Sequence, residues 1–345
     1  MGMKVPLNIA QRIAAGADLG FACDDDGTVT SGFEQAWGDS AYPPPGYLPW
    51  NRLELGNGDT YGFYWPIGTE SGPPIVATIV HDEGQLMPLA SSLEAAIRLH
   101  VAAGHECEEW LELAEEFGVA TDDCHTREMD VDDARDAGVP YWGVATADQL
   151  LPFDRYSPPL LLHRARELLR TREPNLDAAK RLVLTALEVL PEYTAAWWEL
   201  VLLRRRRRDS APLLYEAMVN CLSCPLAFGH VEREKCLEWF KRLPDGSGAA
   251  DTDALWRRRA ELTFAEGIYD HGDYDVYDAI IEEYQEYGFG IRAVRLRVLY
   301  GELMGAETDS FRARKGFTWD KYRADLRHDF ERAGLHDRLD ALPSA

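Results

Sequence analysis

Four residues in the second half of the chain have the types and spacing that could hold a metal. Cys221, Cys224, His230 and Cys236 read Cys-x2-Cys-x5-His-x5-Cys, close to a zinc knuckle. Three thiolates and one imidazole would suit a tetrahedral zinc ion. A knuckle needs a looping chain, however, and Cys221 and Cys236 fall in segments that read as helices, where a thiol is an ordinary small core residue. Both readings stay open at these four positions, and the chain as a whole is read without a cofactor. His105-x-Cys107 with Cys124-His125 is a weaker set, because nothing fixes the approach of the two pairs. Asp130-x-Asp132-Asp133 lacks the glycine and the closing glutamate of a calcium loop. Gly-x-Ser-x-Gly, His-Glu-x-x-His and Walker A patterns do not occur, so no enzymatic activity is expected. Gly56-Asn57-Gly58-Asp59 could offer amides to an anion, but no Lys-Ser/Thr and no helix follow it, which leaves a turn between strands.

Charge is the next chemical signal. The 345 residues carry 36 Lys+Arg against 59 Asp+Glu, a formal net charge of −23. A nucleic-acid binder usually has the opposite sign. Residues 1–150 hold 6 basic and 26 acidic residues, and the stretch 105–136 alone holds 13 acids and 2 arginines. Such a segment projects a negative potential that would draw in a basic partner, or it is simply a solvated acidic helix and loop. Arg204 to Arg208 are five arginines in a row. Consecutive helical residues splay around the axis, so the run reads as a cationic helix end and not as a phosphate patch. Six cysteines without a secreted framework and no apolar run near membrane-spanning length point to a reduced, cytoplasmic chain with no membrane segment.

The elements that would position these groups fall into two regions. Thr60-Tyr61-Gly62-Phe63-Tyr64-Trp65 is an aromatic strand stopped by Pro66, and Ile75 to Val80 is a β-branched strand. His81-Asp82-Glu83-Gly84 reads as a hairpin turn leading to a short strand, Gln85 to Leu89. Ser91-x-x-Glu94 reads as a capping box that opens a helix with Leu93, Ile97 and Val101 on one stripe, ending at Gly104. From Pro158 the pattern is helical. One candidate pair runs through Leu160–Leu169 and Leu176–Leu190, followed by a Tyr-x-Ala-Ala-Trp helix start. A second is expected at Leu255–Glu266 and Ala279–Tyr284. These hairpins resemble degenerate tetratricopeptide repeats, whose stacking creates a concave binding surface or a rigid spacer.

The run Leu55 to Pro66, then Glu70, Pro73-Pro74-Ile75-Val76, His81-Asp82 and Pro88-Leu89-Ala90-Ser91-Ser92 resembles the SUKH superfamily of Smi/Knr-like domains, common among bacterial immunity proteins. The resemblance covers roughly residues 30–103. It departs at the start, where Phe33-Glu34-Gln35-Ala36-Trp37 only loosely matches the usual opening helix. It implies a compact α+β domain that binds and neutralises a toxin protein, often a nuclease, without catalytic residues. An acidic surface would suit a toxin whose own face is basic.

The expected fold is therefore α+β: a small antiparallel sheet with flanking helices over 1–104, an acidic helix and linker over 105–154, and an all-α, solenoid-like helical-hairpin domain over 155–345. The expected partner is a protein, a basic toxin domain, met by the aromatic and acidic side of the sheet near Asp59, Tyr61, Tyr64, Glu70 and Asp82. The alternative is a cytosolic scaffold that recognises its partner through the helical repeats.

Overall fold

The computed structural model describes residues 2–33, 44–54, 60–80, 85–102, 108–121, 124, 147–225, 233–244, 253–263 and 274–342. Contacts divide the chain into two compact units: Met1–Ala36 with Gly46–Pro191, and Trp37–Pro45 with Glu192–Ala345. The architecture is α+β, with antiparallel sheets near the N-terminus and helices thereafter.

The first unit opens with helix α1 (Leu7–Ala14) and a two-stranded ribbon of β1 (Ala22–Cys23) and β2 (Val29–Ser31). A four-stranded antiparallel meander follows, in the order β3 (Tyr47–Glu54), β4 (Thr60–Tyr64), β5 (Ile75–Val80) and β6 (Gln85–Ala90). Its register pairs Tyr47 with Tyr64, Tyr61 with Thr78, and Thr78 with Met87. Gly62 is required where it stands, because the Tyr47 ring lies across the position a Cβ would take. The Tyr47 hydroxyl then donates to the Thr60 carbonyl at 2.8 Å. Residues 55–59 and 81–84, expected to form turns, lie outside the described residues.

Helix α2 (Leu93–Ala102) follows β6, but its cap differs from the expected box. Ser92 Oγ accepts from the Ala95 amide at 3.1 Å and so caps the helix. Ser91 is drawn off by Asp154, whose carboxylate accepts from the Ser91 amide and hydroxyl, both at 2.7 Å. The further helices described in this unit are α3 (Glu108–Phe117), the short α4 (Ala147–Leu150), α5 (Pro158–Arg170) and α6 (Leu176–Val189), the last being the partner of α5. Ser157 caps α5 at Leu160 and donates to the Leu89 carbonyl of β6 at 2.9 Å. The Asp154 and Ser157 bonds tie the chain entering α5 to the sheet. The expected division at 154/155 thus falls within the first unit, and the unit boundary lies at Pro191/Glu192.

The second unit is helical: α7 (Thr194–Arg207), α8 (Ala211–Ser223), α9 (Arg233–Lys241), α10 (Ala254–Arg257), α11 (Asp275–Glu286), α12 (Gly290–Gly305), α13 (Asp309–Arg314) and α14 (Trp319–Arg332), closed by a 3₁₀ turn (His336–Ala341). The second expected hairpin is corrected here. Helix α10 stops at Arg257, where the chain turns, and α11 pairs instead with α12 across Tyr287-Gly288-Phe289. Gly288, at φ +79°, makes that turn.

Buried charges knit the unit together. Asp253 caps α10 through the Leu255 amide and accepts from the Tyr284 hydroxyl at 2.9 Å and from Arg292 at 3.0 Å. Arg297 donates to Asp329 at 2.7 Å and also bonds Asp278, joining α12 to α14 and α11. Arg233 donates to the carbonyls of Cys224 at 2.7 Å and Pro225 at 3.2 Å, placing a cation at the C-terminal end of α8.

Candidate functional site

The expected contact residues go to different places. Asp59 and Asp82 lie outside the described residues. Tyr61 is 5% exposed and Tyr64 is fully buried, so both belong to the core. Glu70, 7% exposed, accepts from the Gly68 amide at 3.0 Å and holds the turn after Pro66. The aromatic side of the sheet is therefore not an open face. Phe21 meets Phe63 edge-on at 6.0 Å, Trp50 meets Phe63 at 4.9 Å, and Phe33 tilts against Trp65 at 5.9 Å.

What Tyr61 does is position something else. Its ring meets Trp110 of α3 edge-on at 5.2 Å, and the Trp110 ring stacks on His100 at 3.8 Å and 12°. The His100 Nδ1–H donates to the Ala96 carbonyl at 2.8 Å, which orients the imidazole for that stack. Trp110, Leu113 and Ala114 form the buried stripe of α3, at the i, i+3, i+4 spacing of an amphipathic helix. The opposite side carries Glu109, Glu112 and Glu115, all exposed, with Leu111 among them at 51% exposure. Gly118, at φ +65°, ends the helix, and Arg12 of α1 approaches it there, a cation near the helix's negative end. The first unit thus displays an acidic ridge with one leucine on it, packed through Trp110. A helix stands in the expected acidic stretch, at Glu108–Phe117; residues 105–107, 122–123 and 125–136 of that stretch lie outside the described residues.

The second unit carries a surface of opposite character. Arginines 204 to 208 splay, as their spacing predicts. Arg204 is buried and donates to the Leu213 carbonyl, Arg207 meets Asp209 at 3.3 Å, and Arg208 ends α7 at φ +55°. Arg205 turns to an aromatic, with its guanidinium carbon 3.3 Å from the centre of the Trp239 ring. Trp198 stacks on Trp239 at 5.4 Å, and Lys235 stands 5.6 Å from the same ring. Beside this stack opens a groove of about 240 Å³ lined by Arg205, Leu214, Met218, Trp239, Arg242 and Leu243. Sequence spacing could not bring Arg205 to Trp239, because they lie on different helices.

Cys221, Cys224 and Cys236 are buried in this unit, and His230 lies outside the described residues. Burial pushes the Cys224 thiol up to about 12, and a hydrogen bond with Cys221 holds the Cys236 thiol above its ordinary range as well. Among the described residues no group of three His, Cys, Asp or Glu side chains is placed to hold a metal ion, and no helix is long and apolar enough to cross a membrane.

Residues 32–109 match the model of the YfbP N-terminal domain, and residues 267–336 match that of the YfbP C-terminal domain. Over 289 residues the chain is 28% identical to the uncharacterized protein YfbP of Escherichia coli strain K12, covering 83% of this chain and 87% of that one. No solved structure matches. The N-terminal match takes in the sheet, α2 and the start of α3; the C-terminal match takes in α11 to α14.

Proposed function

We propose that this protein is a non-catalytic, protein-binding protein of the immunity type, which neutralises a basic toxin domain by occupying its cationic surface. The reading rests on the acidic ridge of α3, packed through Trp110 onto Tyr61 of the sheet and His100 of α2. Such packing matters because ordering an interface on binding costs affinity, and a helix already formed and docked leaves less to order. A nuclease is the kind of toxin whose substrate-binding face carries the complementary charge. The contact surface in this proposal is the α3 ridge, replacing the sheet face formed by Tyr61, Tyr64 and Glu70.

Affinity capture from the native organism with the full chain and with a Glu109→Lys, Glu112→Lys, Glu115→Lys variant, followed by growth rescue against any basic toxin recovered, tests this reading. Rescue by the natural chain and loss of rescue in the triple variant support it. A partner held equally by the variant, or captured by the second unit alone, overturns it. The groove beside Trp239 favours the second reading, a scaffold that recognises its partner through its helices, and the same capture separates the two.

A further inference from the structure

We infer that the Arg205–Trp239 groove is a docking site for the acidic α3 helix of a second copy of this chain. The groove and the helix match in three respects. The groove floor is apolar, formed by Leu214, Met218, Leu243 and the Trp239 ring, and its rims carry Arg205 and Arg242. The exposed side of α3 presents one apolar group, Leu111, with Glu112 beside it and Glu115 one turn on, all on one face. A leucine entering the groove would place these carboxylates against the two arginines.

Charge makes this the favoured occupant. Residues 1–150 carry the acidic excess, whereas in the other unit Arg205 and Lys235 stand at the Trp239 ring and Arg242 lines the same groove. Arg242 lies 3.6 Å from Glu238, both well exposed, a pairing that a second carboxylate can replace at little cost. Trp and Arg are the side chains that most often anchor interfaces. Because the helix and the groove are different surfaces, the contact is head-to-tail, so copies add in chains or close into a ring. The inference does not rest on the immunity reading, although a basic partner seated on α3 would compete with a second copy for it.

The test is sedimentation equilibrium of the full chain at low and at high salt. Two sets of changes at exposed positions serve as probes, Leu111→Arg in one chain and Arg205→Glu with Arg242→Glu in another, with circular dichroism to confirm that each folds. The natural chain should associate with rising concentration at low salt, and each variant should lose roughly 10- to 100-fold in association constant, the scale of close interfacial charge pairs. Mixing the two variants is the decisive arm, since one keeps an intact groove and the other an intact helix. A one-to-one heterodimer supports the inference. A natural chain that stays monomeric, self-association indifferent to both sets of changes, or no heterodimer in the mixture overturns it. Loss of basic-partner capture would be a separate failure, because Arg205 and Arg242 play no part in that contact.

Discussion

Gly301 lies inside α12, where alanine is ordinarily better by about 1 kcal/mol. Here the sign reverses. A Cβ at Gly301 would overlap the buried Tyr322 ring of α14, so the glycine is what lets the two helices approach. Gly301→Ala should destabilise the protein by about 1–3 kcal/mol, the usual cost of overpacking. At Gly305, four residues on, the nearest atom to a Cβ is Trp319 Cη2 at an ordinary 3.5 Å, and Gly305→Ala should be neutral or mildly stabilising. Urea midpoints of the two variants check the contrast. Asp154 supplies a second test. Burial raises its pKa despite the bonds from Ser91 and Tyr156. A carboxyl with a raised folded pKa binds its proton more tightly in the folded chain than in the unfolded one. Its contribution is thus complete below the unfolded value and is lost as pH rises through the folded value. Asp154→Asn must turn an NH₂ towards either the Ser91 or the Tyr156 amide, so it should cost about 1–3 kcal/mol. The gap between the natural chain and the variant should be widest in acid and narrow as pH rises through the carboxylate range. Denaturation at several pH values reads this directly; a gap that widens with pH would contradict it.

At the scale of elements, α3 depends on one side chain. Trp110 supplies most of the aromatic contact between this helix and the rest of the unit. Trp110→Ala should cost about 3–5 kcal/mol and release α3 before the sheet opens. Hydrogen exchange should show protection lost over 109–117 and kept in β4 and β5; equal loss in both would mean that α3 is not a separable element. The acidic helix was legible in the sequence, because charge density survives without knowledge of neighbours. The strands were legible too, since Thr60–Tyr64 and Ile75–Val80 have the right vocabulary and punctuation. The exposed face was not. Tyr61 to Tyr64 are buried at every position, and alternation points out a wet face only when one side of a strand is left to solvent. In the same way Ser91-x-x-Glu94 has the spacing of a cap, but Asp154, 63 residues away, takes Ser91 and leaves Ser92 to do the capping. The Arg205–Trp239 stack had no local signal, because it joins the last turns of two different helices.

For the molecule as a whole, one charge distribution should give two salt responses of opposite sign. The net −23 is concentrated in residues 1–150, and like charges held at close range in a folded body repel one another. Salt screens that repulsion; the Debye length falls from about 30 Å at 0.01 M to about 8 Å at 0.15 M. Raising salt over that range should therefore stabilise the folded first unit, whereas residues 192–345, nearly balanced in charge, should respond much less. Hydrogen exchange read separately in β4–β5 and in α11–α12 resolves the two units within the intact chain. Association through the α3 ridge should respond the other way, because the attraction that speeds encounter with a cationic surface is screened by the same ions. Its association rate should fall steeply with salt while dissociation changes little. If salt strengthened both folding and binding, the ridge would be contributing apolar burial and not charge. The contact would then turn on Leu111 and not on Glu109, Glu112 and Glu115.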